Sequence, residues 1–241
     1  MSDTDRTRQR TNIAEDSDIS AANNPVGSTV DSDRRGWVIS VDGLDGAGKS
    51  SVLKAIEKHF AACGNEVIRL QDPGATEVGR RLRELLLHSD LKMHRRTEAM
   101  LFMASRSEMV AAKVQPAVRE GRVVLLDRYL LSTVVYQSVG GSVSCEDLWR
   151  VGRWSAGDVD PDLTLLLDIP VRVSRDRTGQ TRDRMESRPD DYYERVRQAF
   201  LRELPHAGGQ SAVIDAAGDL ETVIAACLRR VERMVADTPA T

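Results

Sequence analysis

Gly43-Leu44-Asp45-Gly46-Ala47-Gly48-Lys49-Ser50 matches, at every fixed position, the glycine-lysine-serine pattern of a phosphate-binding loop, or P-loop. Its setting gives the pattern meaning. Trp37-Val38-Ile39-Ser40-Val41 runs into it as a short apolar stretch suited to a strand buried on both faces. Ser50 to Ala62 leaves it with Leu53, Ile56 and Phe60 at helical spacing and Lys54, Glu57 and Lys58 between them, ending near Gly64. A strand that turns through glycines into a helix aims backbone N–H groups and the helix N-terminus at one point, where the phosphates of a nucleotide can sit. Gly43 to Ser51 are therefore the candidate ATP-binding segment. The glycines let the backbone approach the phosphates, Lys49 neutralises β and γ oxygens, and Ser50 offers its hydroxyl to Mg²⁺.

The rest of the chain repeats the alternation. Glu66 to Leu70 predicts a second strand, broken by Asp72-Pro73-Gly74, and Glu77 to Leu87 a helix. Glu98 to Glu120 predicts a long helix that Pro116 bends or divides. Val123 to Leu126, Leu163 to Leu167 and Ala212 to Asp215 predict further strands. The last helix carries Leu220, Val223, Ile224, Cys227, Leu228 and Val231 on one face. Short apolar strands alternating with helices imply an α/β three-layer fold, a parallel sheet flanked by helices on both faces. Asp127, closing a strand expected to lie parallel to the P-loop strand, is a candidate carboxylate for the metal or its waters.

The chain has 241 residues, enough for one sizeable core and with no mid-chain break in composition, so residues 36–241 read as one domain. Residues 1–35 are polar with scattered apolar positions and read as a disordered tail. A formal charge of −3 argues against a nucleic-acid polymer as partner. No run approaches the roughly 18 apolar residues of a membrane span. Cys63, Cys145 and Cys227 are too scattered for a zinc site or a disulfide framework and suit a reducing cytoplasm.

A P-loop does not name an acceptor, but three further motifs do. Asp127-Arg128-Tyr129 continuing through Ser132-Thr133 to Tyr136-Gln137, Leu101 to Arg106 with Phe102 and Arg106, and Pro161 to Glu186 resemble, in order and spacing, the thymidylate kinases. In a helix Phe102 and Arg106 share a face, where a ring can stack on a pyrimidine and a guanidinium can donate to its edge. The resemblance implies the P-loop nucleoside monophosphate kinase fold, a homodimer, ATP with Mg²⁺ as donor and dTMP as acceptor. It gives Asp45 a role near the sugar 3′-hydroxyl, Arg128 a grip on the acceptor phosphate and Tyr136 a place beside the deoxyribose; Thr133 and Gln137 fall near the base. It also implies a lid at about residues 175–190. One group of the family carries a basic residue in the P-loop, and another supplies it from the lid. With Gly46 in the loop and Arg175, Arg177, Arg182 and Arg184 beyond, this chain resembles the second, making Arg177 and Arg182 candidate catalytic residues beside Lys49, Asp45 and Arg128. Two departures stand out: Gln71 where the family often has arginine, with Arg69 further back on the strand, and Gly179 where arginine is common. They leave two alternatives: a kinase for another deoxypyrimidine monophosphate, or a catalytically weakened nucleotide-binding relative.

Overall fold

The computed structural model describes residues 36–141, 143–178 and 189–237. The expected tail at 1–35 and most of the expected lid, with Gly179, Arg182 and Arg184, lie outside the described residues.

The strands are β1 (Val38–Gly43), β2 (Val67–Gln71), β3 (Val123–Asp127), β4 (Leu163–Asp168) and β5 (Gln210–Asp215). They form one sheet in the order β2-β3-β1-β4-β5, every pair parallel. All of β1 is buried, as are Val123–Leu126 of β3 and Leu163–Leu167 of β4. Alternate side chains of a strand point to opposite faces, so uninterrupted burial requires helices over both. Register brings the C-terminal strand ends together: Val41 pairs with Asp127 and Gln71 also pairs with Asp127, so the loops after β1, β2 and β3 open on one edge.

The helices are α1 (Lys49–Ala62), α2 (Glu77–Leu87), α3 (Arg95–Met109), α4 (Gln115–Arg119), α5 (Leu130–Ser138), α6 (Cys145–Ser155), α7 (Val171–Thr178), α8 (Asp190–Glu203) and α9 (Leu220–Asp237). α1 packs against α9, while α3, α5, α6 and α8 pack among themselves and α2 lies on α3. On α9 the core face is Val223, Cys227, Val231 and Met234; Leu220, expected on that face, is 46% exposed because it sits at the helix tip beside Gly48.

The predicted long helix is divided, and earlier than Pro116. Residues Val110–Val114 form a turn of π-helix between α3 and α4. Proline lacks the N–H and its ring crowds the carbonyl four residues back, here Ala112, so widening the preceding turn relieves both problems. Val110, Val114 and Ala117 remain buried across the junction.

Candidate active site

The loops after β1, β2 and β3 surround a cleft of about 550 Å³. Asp45, Gly46, Gly48, Lys49, Ser50 and Ser51 line it from the P-loop side, while Gly43, Leu44 and Ala47 support it from behind. Asp127, Arg128, Thr133, Tyr136, Gln137 and Phe102 line the other walls, and Arg177 reaches in from α7.

The P-loop is shaped by its contact with α7. Gly46 has φ +75°, and a Cβ there would stand 2.8 Å from the Ser174 carbonyl oxygen and 3.2 Å from Arg177 Cβ. Only glycine suits both the left-handed backbone and the close approach. Ser174 Oγ donates to Asp45 O at 2.6 Å, and Arg177 donates to Ala216, Ala217 and Gly218 carbonyls at 2.9–3.1 Å, tying α7 to the P-loop and to the β5–α9 loop. Room for a side chain at position 46 is thus taken by the helix that carries Arg175 and Arg177. Arg175 pairs with Asp190 at 2.7 Å and stacks over Tyr193, another cleft residue, at 4.7 Å.

The floor of the cleft is a charge network. Lys49 Nζ donates to Gly43 O, Leu44 O and Asp45 Oδ1 at 3.2, 2.9 and 3.3 Å. Arg128 donates to Gly43 O at 2.9 Å and to Asp45 Oδ1 at 2.5 Å. Burial disfavours the Asp45 carboxylate, but the charges of Arg128 and Lys49 outweigh it and hold the group far below the usual carboxylate range. Burial, with the neighbouring Arg128 charge, pushes Lys49 down to about 8. Burial also opposes the Arg128 cation, yet Asp45 and the nearby acidic groups keep it firmly protonated.

Arg128 has φ +66°, a left-handed backbone that costs a non-glycine residue roughly 1–2 kcal/mol. Its surroundings hold it there. Its N–H donates to Val41 O at 3.1 Å, and its Nη1 reaches Ser132 Oγ at 3.2 Å. Ser132 in turn donates to the wholly buried Asp42 at 2.5 Å. Asp42 also accepts from Ser40 and from the Tyr129 N–H. It thus joins β1 to the start of α5 directly beneath Arg128.

Phe102 and Arg106 lie on α3 as their spacing predicts, but at different depths. Phe102 lines the cleft; Arg106 is 1% exposed and does not. Its Nε donates to Asp72 Oδ2 at 2.7 Å and its Nη2 to Thr133 Oγ1 at 2.6 Å, with Met103 Sδ at 3.2 Å from Nη1. Asp72 Oδ1 has no partner among the described residues, and burial raises the Asp72 pKa despite Arg106. Beside it, both amide ends of the fully buried Gln137 and the Tyr136 hydroxyl lack partners among the described residues. The Tyr136 ring lies under Arg128 at 5.4 Å and meets Phe200 edge-on at 5.7 Å. A buried amide without partners costs free energy, so a wall holding Gln137 and Asp72 suits a ligand with donors and acceptors on one edge, stacked along Phe102.

Ser50 and Asp127 bring only hard oxygen donors to the cleft. Among the described residues no group of three or more His, Cys, Asp or Glu could hold an ion unaided. Such a sparse set fits a hard divalent cation completed by water and substrate phosphates. Arg83, Tyr193, Asp72 and Asp42 belong to this site or support it without having been singled out by any motif. Asp42 alone carried a signal: a carboxylate inside an apolar strand one residue before the loop.

The family model for thymidylate kinase matches residues 41–226. The chain is 53% identical over 188 residues to a thymidylate kinase of Rhodopirellula baltica, covering 78% of this chain and 77% of that one. It is 39% identical over 187 residues to the thymidylate kinase of Neisseria meningitidis serogroup B, covering 77% and 91% of the two chains. With the thymidylate kinase of Bifidobacterium longum it shares 37% identity over 195 residues, covering 79% and 95%.

Proposed function

Because the chain belongs to the thymidylate kinase family, we propose that it moves the terminal phosphoryl group of ATP onto dTMP, giving dTDP, with Mg²⁺ as the metal. The observation that carries this reading is one cleft shared by two half-sites. The P-loop with Lys49 lies on one side, and Arg128 with Phe102, Thr133, Tyr136 and Gln137 lies on the other.

The acceptor is a phosphate oxygen, already anionic near neutral pH because the second phosphate pKa is about 6, so no general base is needed. The obstacle is repulsion between two polyanions. Lys49 and the P-loop N–H groups hold the β and γ oxygens; Arg128, aimed by its left-handed backbone, holds the acceptor phosphate in line. Ser50 and Asp127 would hold Mg²⁺, which supplies further charge neutralisation on the donor phosphates. Asp45 sets the positions of Lys49 and Arg128 and stays ionised throughout the working pH range. Arg177 and Arg182 act from α7 and from beyond the described residues. Phe102 stacks on the thymine, Gln137 and Thr133 meet its polar edge, and Tyr136 packs beside the deoxyribose. Arg106 acts from behind this wall, holding Thr133 and Asp72 in place.

A cytoplasmic homodimer belongs to the same proposal. Among the described residues no helix is long and apolar enough to cross a membrane, and the described cysteines are free. Val78 on α2 and Met100 on α3, 48% and 55% exposed on two helices packed side by side, give a second copy an apolar surface. Sedimentation velocity tests the dimer.

The decisive experiment for the reaction is an acceptor panel with ATP and Mg²⁺. dTMP is expected to be phosphorylated best, with dUMP lower by about 10–200-fold for the missing methyl group, and dAMP and dGMP scarcely at all. A purine turned over better than dTMP would overturn the base-pocket assignment.

A further inference from the structure

The cleft has a cationic wall that none of the motifs contains. Arg83 of α2 lines it together with Lys49 and Arg128. The half-buried side chain lies across the loop that follows β2, where Nη1 donates to Pro73 O at 2.9 Å. Gly74 leaves the room for this: a Cβ there would come within 3.2 Å of Arg83 Cδ. Asp72, the carboxylate whose field it feels, is already bonded to Arg106 at 2.6 Å, and no ion pair to Arg83 occurs among the described residues. A half-buried guanidinium turned toward a cleft without a carboxylate partner is placed to receive an anion.

The sheet order says which anion. β3 lies between β1 and β2, so the P-loop and the loop after β2 are two strand spacings apart, roughly 9–10 Å. Arg128, just after β3, stands between them. A cation above β2 therefore faces the phosphate that Arg128 holds and is remote from the donor phosphates at the P-loop. Gln71, at the end of β2 and also in the cleft wall, is uncharged and supplies no cation there.

We propose that Arg83 binds the phosphate of the acceptor nucleotide from the β2 side, supplying the charge that Gln71 does not; this rests on the phosphotransfer reading above. Its ligand is a phosphate monoester dianion, not the nucleoside. The test compares wild type with Arg83→Ala and Arg83→Lys, measuring steady-state kinetics and, by calorimetry, the binding of dTMP and of thymidine, which lacks the phosphate. In Arg83→Ala the KM and Kd for dTMP should rise about 10–100-fold, the loss of a charged hydrogen bond. The thymidine Kd, the ATP KM and the melting temperature should stay near wild type, and Arg83→Lys should recover part of the loss. An unchanged dTMP Kd overturns the proposal. So does an equal loss of dTMP and thymidine affinity, which would reduce Arg83 to a prop for Pro73. Failure of the wild type to phosphorylate dTMP would strike the kinase reading instead, and the dTMP–thymidine comparison would still judge Arg83.

Discussion

Replacing Asp72 by alanine should be among the most destabilising single changes in this protein, and replacing its partner as well should undo most of the damage. Asp72 and Arg106 have side chains 0% and 1% exposed and are joined at 2.6 Å, and no second ion pair to Arg106 occurs among the described residues. Removing one member of such a pair strands the other in a dry interior and costs about 3–5 kcal/mol. At roughly 2–4 °C per kcal/mol for a domain of this size, the melting temperature should fall by roughly 6–20 °C. The pair itself is not a large asset. The raised Asp72 pKa says that burial penalises the carboxylate more than the arginine rewards it. Asp72→Ala combined with Arg106→Met should therefore come within about 1–2 kcal/mol of wild type, the residue being the partner lost by Thr133. The assay is a double-mutant cycle in urea, read by circular dichroism, with dTMP KM followed in parallel. A single variant that loses less than about 1 kcal/mol, or a double variant that loses the sum of its singles, would refute the picture of a dehydrated, mutually dependent pair.

Lys49→Ala should lower kcat by about 10²–10³-fold with the melting temperature little changed, measured as ADP release. Because burial and Arg128 depress Lys49 to about 8, kcat/KM for ATP should decline as pH rises through that value in the free enzyme. Bound phosphates favour the cation, so the limb in kcat should lie at higher pH; a flat kcat/KM profile between pH 7 and 9.5 would remove Lys49 from that role. Gln71→Arg should lower the dTMP KM and restore dTMP binding to Arg83→Ala; if it does neither, the β2 edge does not meet the acceptor phosphate. Gly46→Arg should raise KM for both nucleotides and lower the melting temperature, because any side chain there meets Ser174 O and Arg177; crystallography of a fully active variant with α7 undisturbed would contradict this.

The parts of the fold and site that could be read from the residues share a reason. P-loop chemistry needs contiguous residues, and Phe102 was visible because a helix brings positions four apart onto one face. The short, largely apolar runs of β1, β3 and β4 announced a sheet covered on both sides. What stayed hidden depends on partners distant in sequence. Arg106 was expected at the base itself, but its depth is decided by Asp72, 34 residues away across the β2 loop. Arg83 was lost in the run Arg80, Arg81, Arg83, where the first two pair with Glu77 at the surface and only the third turns to the cleft. Pro116 rightly signalled a break, but the chain absorbs the disturbance upstream, in the turn where the crowded carbonyl lies.

That widened turn, Val110–Val114, acts as a gear between two halves of one rod. A π turn holds about one residue more than an α turn, and one residue is about 100° of rotation in an α-helix. The extra residue thus sets the angular phase between the half that seats Val114 and Ala117 in the core and the half that carries Phe102 and Arg106. Deleting a single residue from this turn would remove that relief, leave Pro116 to kink the junction, and swing Phe102 about a quarter-turn off the cleft, while both halves kept their helical content. Circular dichroism would barely register such a deletion, yet acceptor binding would be lost, so chain length at this one turn is itself part of the active site.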